Sequence, residues 1–377
     1  MIPHHSTVTI PDRNAALRIL IIRLGAIGDV IMTSAVPQAV KEAFPNARIT
    51  WLVEPLSVPI VRMNPYVDDI IVFDCKKEWV KLLRAGKLVA LTRTVRAFRQ
   101  ILLEGAFDIA VDFQELFKSA FLAWLSGAPR RIGPAPSREG NRFFMTELVA
   151  RPSHPTWLSQ ANLALLAPLG VSQAPRRPVL DVPDTERAAA RDFLASRGLV
   201  GVPYAAFCLS SSRPQKDWVF ARWGELADAL WEQEGLRTVL IGGPERRVDA
   251  LGIVESCASQ PVSAVGYTSI MQSTALVQDA ALVVGLDTGL TYAGLAVDAP
   301  TIALYGSTDP SWLAEEACAT VCFHPLPCSP CGRRPTCQHY DCMQAISVEE
   351  VADTARRLLK QRLAASGSTK HSRAAAI

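Results

Sequence analysis

Short runs rich in Ile, Leu, Val and Ala alternate with longer stretches of helical pattern along nearly the whole chain. Residues 18–23 read as a buried strand, 29–44 as a helix and 48–54 as the next strand, with further strands at 70–73 and 109–112. The alternation breaks at 170–185, a Pro-rich stretch that reads as a linker. It then resumes with strands at 204–209 and 238–241 and helices at 221–234 and 269–279. Repeated β-α-β units need crossover helices on both faces of a parallel sheet, so the fold class is α/β. A length of 377 residues suits two such doubly wound domains. The simplest architecture sets a cleft between them.

Composition narrows the function. A net charge of +3 is too small to argue for a nucleic-acid partner. No uninterrupted apolar run is long enough to span a bilayer. The first residues lack the apolar core of a signal peptide, so the expected compartment is the cytoplasm, where the nine cysteines read as thiols or metal ligands rather than disulfides. Residues 1–17 and 364–377 read as flexible extensions.

Residues 281–310 carry the sharpest motif. A β-rich run stops at Gly285, the turn Asp287-Thr288-Gly289 opens a helix, and a second strand follows at 301–305. Free N–H groups and the positive end of the dipole make such a helix start a phosphate site. Asp287 or Thr288 can cap the helix, and Gly289 allows close approach to the backbone. An ordinary well-capped connection is the plain alternative. Near the start, Gly25-Ala26-Ile27-Gly28-Asp29 follows the first strand. It lacks the G-x-G-x-x-G of dinucleotide binders, and an acid there would repel a pyrophosphate. Asp29 can instead take a proton from a substrate hydroxyl, or it only interacts with its helix dipole. Ser210-Ser211-Ser212 and Lys216 follow the first strand of the second half, and Gly242-Gly243-Pro244-Glu245 follows another strand. Hydroxyls and a lysine suit phosphate oxygens, and an acid suits ribose hydroxyls. Three such loops in one domain suggest a nucleotide.

With these motifs in this order, the chain resembles glycosyltransferase family 9, the ADP-heptose:lipopolysaccharide heptosyltransferases. The likeness runs from about Arg18 to about Leu359 through RLGAIGDVIMTSAVPQAVKEAFPNARITWLVE, DFQELFKSAFLAWLSGAPRRIG, KDWVFARWGELADAL, IGGPE and GLDTGLTYAGLAVDAPTIALYGSTDP. It implies the GT-B fold, two Rossmann-like domains facing across a cleft: an acceptor-binding domain at 18–175 and a donor-binding domain at 186–360. It implies inverting, metal-independent transfer of heptose from ADP-L-glycero-β-D-manno-heptose to the Kdo- or heptose-bearing inner core of lipid A. By the same resemblance Asp29 matches the catalytic base, and Lys216 the lysine at the diphosphate. Ser211 and Ser212 match phosphate-binding hydroxyls, and Glu245 falls near the acid that meets the ribose. Asp287, Thr288, Gly289 and Leu290 match the donor motif. Gly28, Arg131 and Arg142 are acceptor-side candidates, with Arg130 and Arg138 in the same basic cluster. The chain departs from the family at Tyr292, where histidine is common, and at Val219, where proline is usual. The first departure leaves open another nucleotide sugar or a protein acceptor. A nucleotide-sugar-binding protein without catalysis is the non-enzyme alternative, and the presence of both Asp29 and Lys216 argues against it.

Two features lie outside these motifs. Cys328, Cys331, Cys337 and Cys342, in a Cys-rich segment at 318–342, have spacing that suits a structural zinc or iron site, or else plain reduced thiols or disulfides formed under oxidation. Residues 76–99 carry Lys76, Lys77, Lys81, Arg84, Lys87, Arg93, Arg96 and Arg99 against one acid, Glu78, interleaved with apolar residues. Such a stretch suits peripheral contact with the anionic face of an inner membrane, or an ordinary solvated helix face. His4, His5, His154, His324 and His339 read as loop residues without a catalytic role.

Overall fold

A computed structural model describes residues 10–74, 79–152, 158–174, 176–313 and 318–374. Most of the N-terminal extension, His4, His5, His154, and Lys76, Lys77 and Glu78 of the basic stretch lie outside them. The chain divides into two compact units, Met1–Val179 and Leu180–Ile377, and the division falls within the Pro-rich stretch.

The first unit holds β1 (Arg18–Ile22), β2 (Arg48–Val53), β3 (Asp69–Val72), β4 (Ile109–Asp112), β5 (Arg130–Ala135) and β6 (Glu147–Ala150). They pair in parallel in the order β3-β2-β1-β4-β5-β6. The second unit holds β7 (Tyr204–Cys208), β8 (Arg237–Ile241), β9 (Val262–Ser263), β10 (Leu282–Leu286), β11 (Thr301–Tyr305) and β12 (Ala319–Phe323). These run parallel in the order β12-β11-β10-β7-β8-β9. Both sheets therefore start at the centre, build outward one way and then the other. Each has a switch point, between β1 and β4 in one and between β7 and β10 in the other, and ligands of open α/β sheets bind at the carboxyl ends there. The central strands are apolar on both faces because helices cover both: every residue of β4, β7, β10 and β11 is buried.

One expected helix is two. The stretch read as a helix over 29–44 forms Ile27–Thr33 and Ala35–Ala43, broken at Ser34. Pro37 is the cause, because it has no N–H to give the Thr33 carbonyl and its ring crowds that oxygen. The break is used: Asn64 Nδ2 donates to the Ser34 carbonyl at 2.7 Å, and Ser34 Oγ accepts the Val179 N–H at 2.7 Å. At the other end, the helix Val348–Ala374 takes in most of the segment read as a loose tail. Its run of Ala, Leu, Lys, Arg and Gln favours helix.

Candidate active site

In the first unit, polar groups gather where β1 and β4 end side by side. Arg23 follows β1, and Asp29 lies in the first turn of the Ile27–Thr33 helix. One Arg23 nitrogen pairs with Asp29 Oδ2 and another donates to the Phe113 carbonyl. Asp29 is 41% exposed in its side chain, and its second oxygen has no partner among the described residues. Beside it Asp112, the last residue of β4, is fully buried. Asp112 accepts hydrogen bonds from the Gln114 N–H at 2.8 Å, Ser119 Oγ at 2.8 Å and Asn141 Nδ2 at 2.5 Å. Burial pushes its carboxyl up to about 6, against those hydrogen bonds and the charge of Arg23. Arg151, just past β6, pairs with Glu115. Burial and the like charge of Arg23 bring its guanidinium down to about 10, while Asp112 and Asp29 oppose that shift. Nε of Arg23 and Nε and Nη2 of Arg151 are buried without a partner among the described residues. Gln114 Oε1 accepts the Leu24 and Gly25 N–H groups at 3.0 and 3.3 Å, which ties the turn after β1 to the turn after β4.

In the second unit, the loops after β7, β8 and β10 are tied to one another. Lys216 Nζ lies 2.5 Å from Asp287 Oδ2 and 3.2 Å from the Asp287 carbonyl oxygen. The side chains are 17% and 7% exposed. Burial would raise the Asp287 carboxyl, but the Lys216 charge and hydrogen bonds from Lys216, Tyr292 and Thr308 hold it below the ordinary range. The Tyr292 hydroxyl donates to Asp287 Oδ1 and lies 2.6 Å from the Tyr305 hydroxyl. Arg246 grips Asp217 through both carboxylate oxygens at 2.7 Å, and Ser211 Oγ donates to Asp217 at 2.5 Å. Ser210 Oγ donates to Glu245 at 2.7 Å and accepts the Gly243 N–H at 2.8 Å. Gly285 is required just before this site: a Cβ there would stand 2.9 Å from Cys208 Cβ and 2.2 Å from the Thr291 hydroxyl.

The first switch point thus presents a half-exposed carboxylate beside two arginines, and the second a lysine ammonium held by a buried carboxylate. The sequence profile of glycosyltransferase family 9 (heptosyltransferase) matches residues 95–340. The chain belongs to this family. It is a glycosyltransferase. Lipopolysaccharide heptosyltransferase 1 of Salmonella typhimurium (strain LT2) is 29% identical over 302 residues, covering 78% of this chain and 90% of that protein. Among solved structures, the family 9 glycosyl transferase from Veillonella parvula DSM 2008 superposes with a TM-score of 0.76 at 25% identity, covering 93% of this chain and 100% of that one. The E. coli heptosyltransferase WaaC with ADP-2-deoxy-2-fluoro heptose gives 0.69 at 22%, covering 90% and 99%. The fold is the GT-B fold of these glycosyltransferases.

Within this family 9 glycosyltransferase the structure sorts the residues singled out from the sequence. Lys216, Asp287 and Tyr292 come together, and Gly28 and Asp29 share a helix turn. Thr288 takes the N-cap position of the Gly289–Ala296 helix, but neither its side chain nor that of Asp287 caps the helix. Asp287 is engaged by Lys216 and Tyr292 instead, so the capping expectation is corrected. The hydroxyl of Ser211 is taken up inside its loop, while Ser212 is exposed. Arg131 is committed to the Phe144 and Ala128 carbonyls, each at 2.7 Å, and Arg130 pairs with Glu147. Arg142 is exposed, lies 4.9 Å over the Phe143 ring, and lines a groove with Ser137, Gly140 and Leu148. Trp218 is a core anchor whose Nε1 donates to the Ile346 carbonyl at 2.9 Å.

Of the alternatives left open for the cysteines, the structure shows free thiols. Among the described residues no group of three or more His, Cys, Asp or Glu is placed to hold a metal ion. Cys342 sits at the edge of the hydrophobic core of the second unit, against Gly306, and the half-buried Cys328, Cys331 and Cys337 of the preceding loop stand close enough to act on it, with Cys328 in hydrogen-bonding reach of Cys337. Residues that the sequence reading passed over include Arg23, Asp112 and Arg151 in the first unit and Asp217, Arg246 and Tyr305 in the second. Each charged or hydroxyl group closing an apolar run, as in IAVD and TIALY, was the available signal.

Proposed function

We propose that this enzyme transfers heptose from ADP-L-glycero-β-D-manno-heptose to the Kdo- or heptose-bearing inner core of lipopolysaccharide, with inversion and without a catalytic metal. The likeness to the Salmonella heptosyltransferase and to the ADP-heptose-analogue complex supports the donor and acceptor class. The observation that carries the reading is the buried Lys216–Asp287 pair at the start of the Gly289–Ala296 helix. Two Lys216 N–H groups are held by Asp287, and the third has no partner among the described residues. That proton and the first-turn N–H groups stabilise the departing diphosphate. In this reading the free oxygen of Asp29 takes the proton from the acceptor hydroxyl as that oxygen bonds the anomeric carbon from the face opposite the leaving group. Arg23 orients Asp29. Glu245, anchored by Ser210, meets the ribose hydroxyls, and Arg142 with Phe143 receives part of the acceptor.

The acceptor is anchored in a membrane, and one surface suits that. Lys81, Arg84, Arg93, Arg96 and Arg99 are exposed on the helices Lys81–Arg84 and Leu88–Glu104, and Lys87 just before the second, beside exposed Leu83, Leu88 and Val89. Basic residues around apolar tips fit an anionic bilayer surface. Among the described residues no helix is long and apolar enough to cross a membrane.

A donor screen tests the proposal. ADP and ADP-heptose should protect the protein against thermal unfolding, and UDP- and GDP-sugars should not. Protection by a UDP- or GDP-sugar in place of ADP-heptose would favour the second reading, transfer from another nucleotide sugar, which Tyr292 in place of histidine motivates.

A further inference from the structure

We infer that Tyr305 is a positioning residue for the donor site: it acts through Tyr292 and Asp287 to fix where Lys216 presents its last proton. The inference rests on the donor-site reading of Lys216. Tyr305 is the last residue of β11, and in the sheet Leu304 stands opposite Leu286. That register sets Tyr305 level with Asp287, the first residue past β10. Tyr305 is almost fully buried, and its hydroxyl lies 2.6 Å from that of Tyr292.

The direction of the hydrogen bonds follows from donor counts. An ionised Asp287 only accepts, so Tyr292 must give its single proton to Asp287 Oδ1. The Tyr292 oxygen is then open to accept from Tyr305, whose hydroxyl also stands within hydrogen-bonding reach of Asp287. Burial pushes both phenols well above their ordinary range, so both keep the proton this arrangement needs. Asp287 Oδ2 is occupied by Lys216. The result is a closed triangle of hydroxyls on one carboxylate, Tyr305 and Tyr292 together on Asp287, which meets the ammonium at its other oxygen. With one carboxylate oxygen pinned by Tyr292, the carboxylate plane cannot rotate, and the two N–H groups of Lys216 on Asp287 keep one bearing. The remaining N–H is aimed by this arrangement. Removing the Tyr305 hydroxyl leaves the Tyr292 oxygen short of a buried donor and frees Tyr292 to swing from Asp287.

A double-mutant cycle distinguishes this from simple core packing. ADP affinity by calorimetry, kcat and KM with ADP-heptose, and the thermal midpoint are measured for the wild type, Tyr305→Phe, Tyr292→Phe, the double variant and Lys216→Ala. Tyr305→Phe should weaken ADP about 3- to 10-fold and lower kcat by a similar factor. In the Tyr292→Phe background the same substitution should change either quantity by a clearly smaller factor, because the link through Tyr292 is gone and only the direct contact with Asp287 remains. Lys216→Ala should weaken ADP more than any tyrosine variant. Equal effects of Tyr305→Phe with and without the Tyr292 hydroxyl would mean a role independent of Tyr292 and overturn the inference alone. So would unchanged affinity and kcat in a folded Tyr305→Phe protein. Unchanged ADP affinity in Lys216→Ala would overturn the donor reading and take the inference with it.

Discussion

The two units share one strand order and differ in how their switch points are finished. At the end of β1 and β4 the polar groups are in surplus: among the described residues two arginines keep buried donors unpartnered, and Asp29 has an open oxygen. At the end of β7 and β10 the chain of Tyr305, Tyr292, Asp287 and Lys216 is closed except for one ammonium proton. The same topology thus leaves a partly uncompensated polar cluster in one unit and a tightly tied one in the other, which in our proposal cradles the diphosphate. Backbone architecture sets where a ligand can sit, and a few side chains at the strand ends set what it must be.

The sharpest way to break this contrast is at Asp29. Asp29→Ala should lower kcat by about 10²- to 10⁴-fold with ADP affinity unchanged, as read by steady-state kinetics beside calorimetry. A fall of less than tenfold would place the base elsewhere. Lys216→Ala should lower kcat by about 10²- to 10³-fold. It should also lower the thermal midpoint, because Asp287 is left as a buried charge without its partner.

A third prediction concerns pH. Asp112 has a folded pKa of about 6, above its unfolded value, so the native state holds its proton more tightly. Its contribution to stability is full below about pH 4 and is lost as pH rises through about 6. Two pK units correspond to about 3 kcal/mol. Asp112→Asn should remove this slope, so the midpoint difference between wild type and variant should change between about pH 4 and 6 and level off above. A constant difference would show that Asp112 does not titrate in that window. Within the second unit, Arg246→Ala should cost about 1–3 kcal/mol in a denaturant titration by loosening the loops after β7 and β8. The smallest effect belongs to the basic face. Arg93→Glu with Arg96→Glu should weaken binding to anionic vesicles roughly fivefold per charge and leave soluble-acceptor kinetics unchanged. Vesicle binding that ignores both charge and salt would remove that surface from the proposal.

Legibility varied with the range of the interaction. Asp29 and the Asp287-Thr288-Gly289 turn stood out because each directly follows an apolar run, a signal contained within about ten residues. The break at Ser34 was missed: Pro37 marks it locally, but the apolar periodicity on either side reads as one helix. Arg23 and Asp112 were not legible as one site. They are 89 residues apart in sequence, and they meet only because β4 pairs beside β1. The cysteine spacing did bring Cys328, Cys331, Cys337 and Cys342 close enough to act on one another, but as free thiols, with Cys342 also packed in the core.

Local pattern by itself determined the α/β class, the two-part organisation and the strand-end motifs, because hydrophobic periodicity and turn chemistry act between near neighbours. Tertiary structure alone decided which strand ends stand together, and so that Arg23 meets Asp29 beside Asp112 and that Tyr305 stands level with Asp287. Parallel neighbours are chosen by crossovers and by helices packing over both faces of a sheet, and no window of sequence contains those contacts.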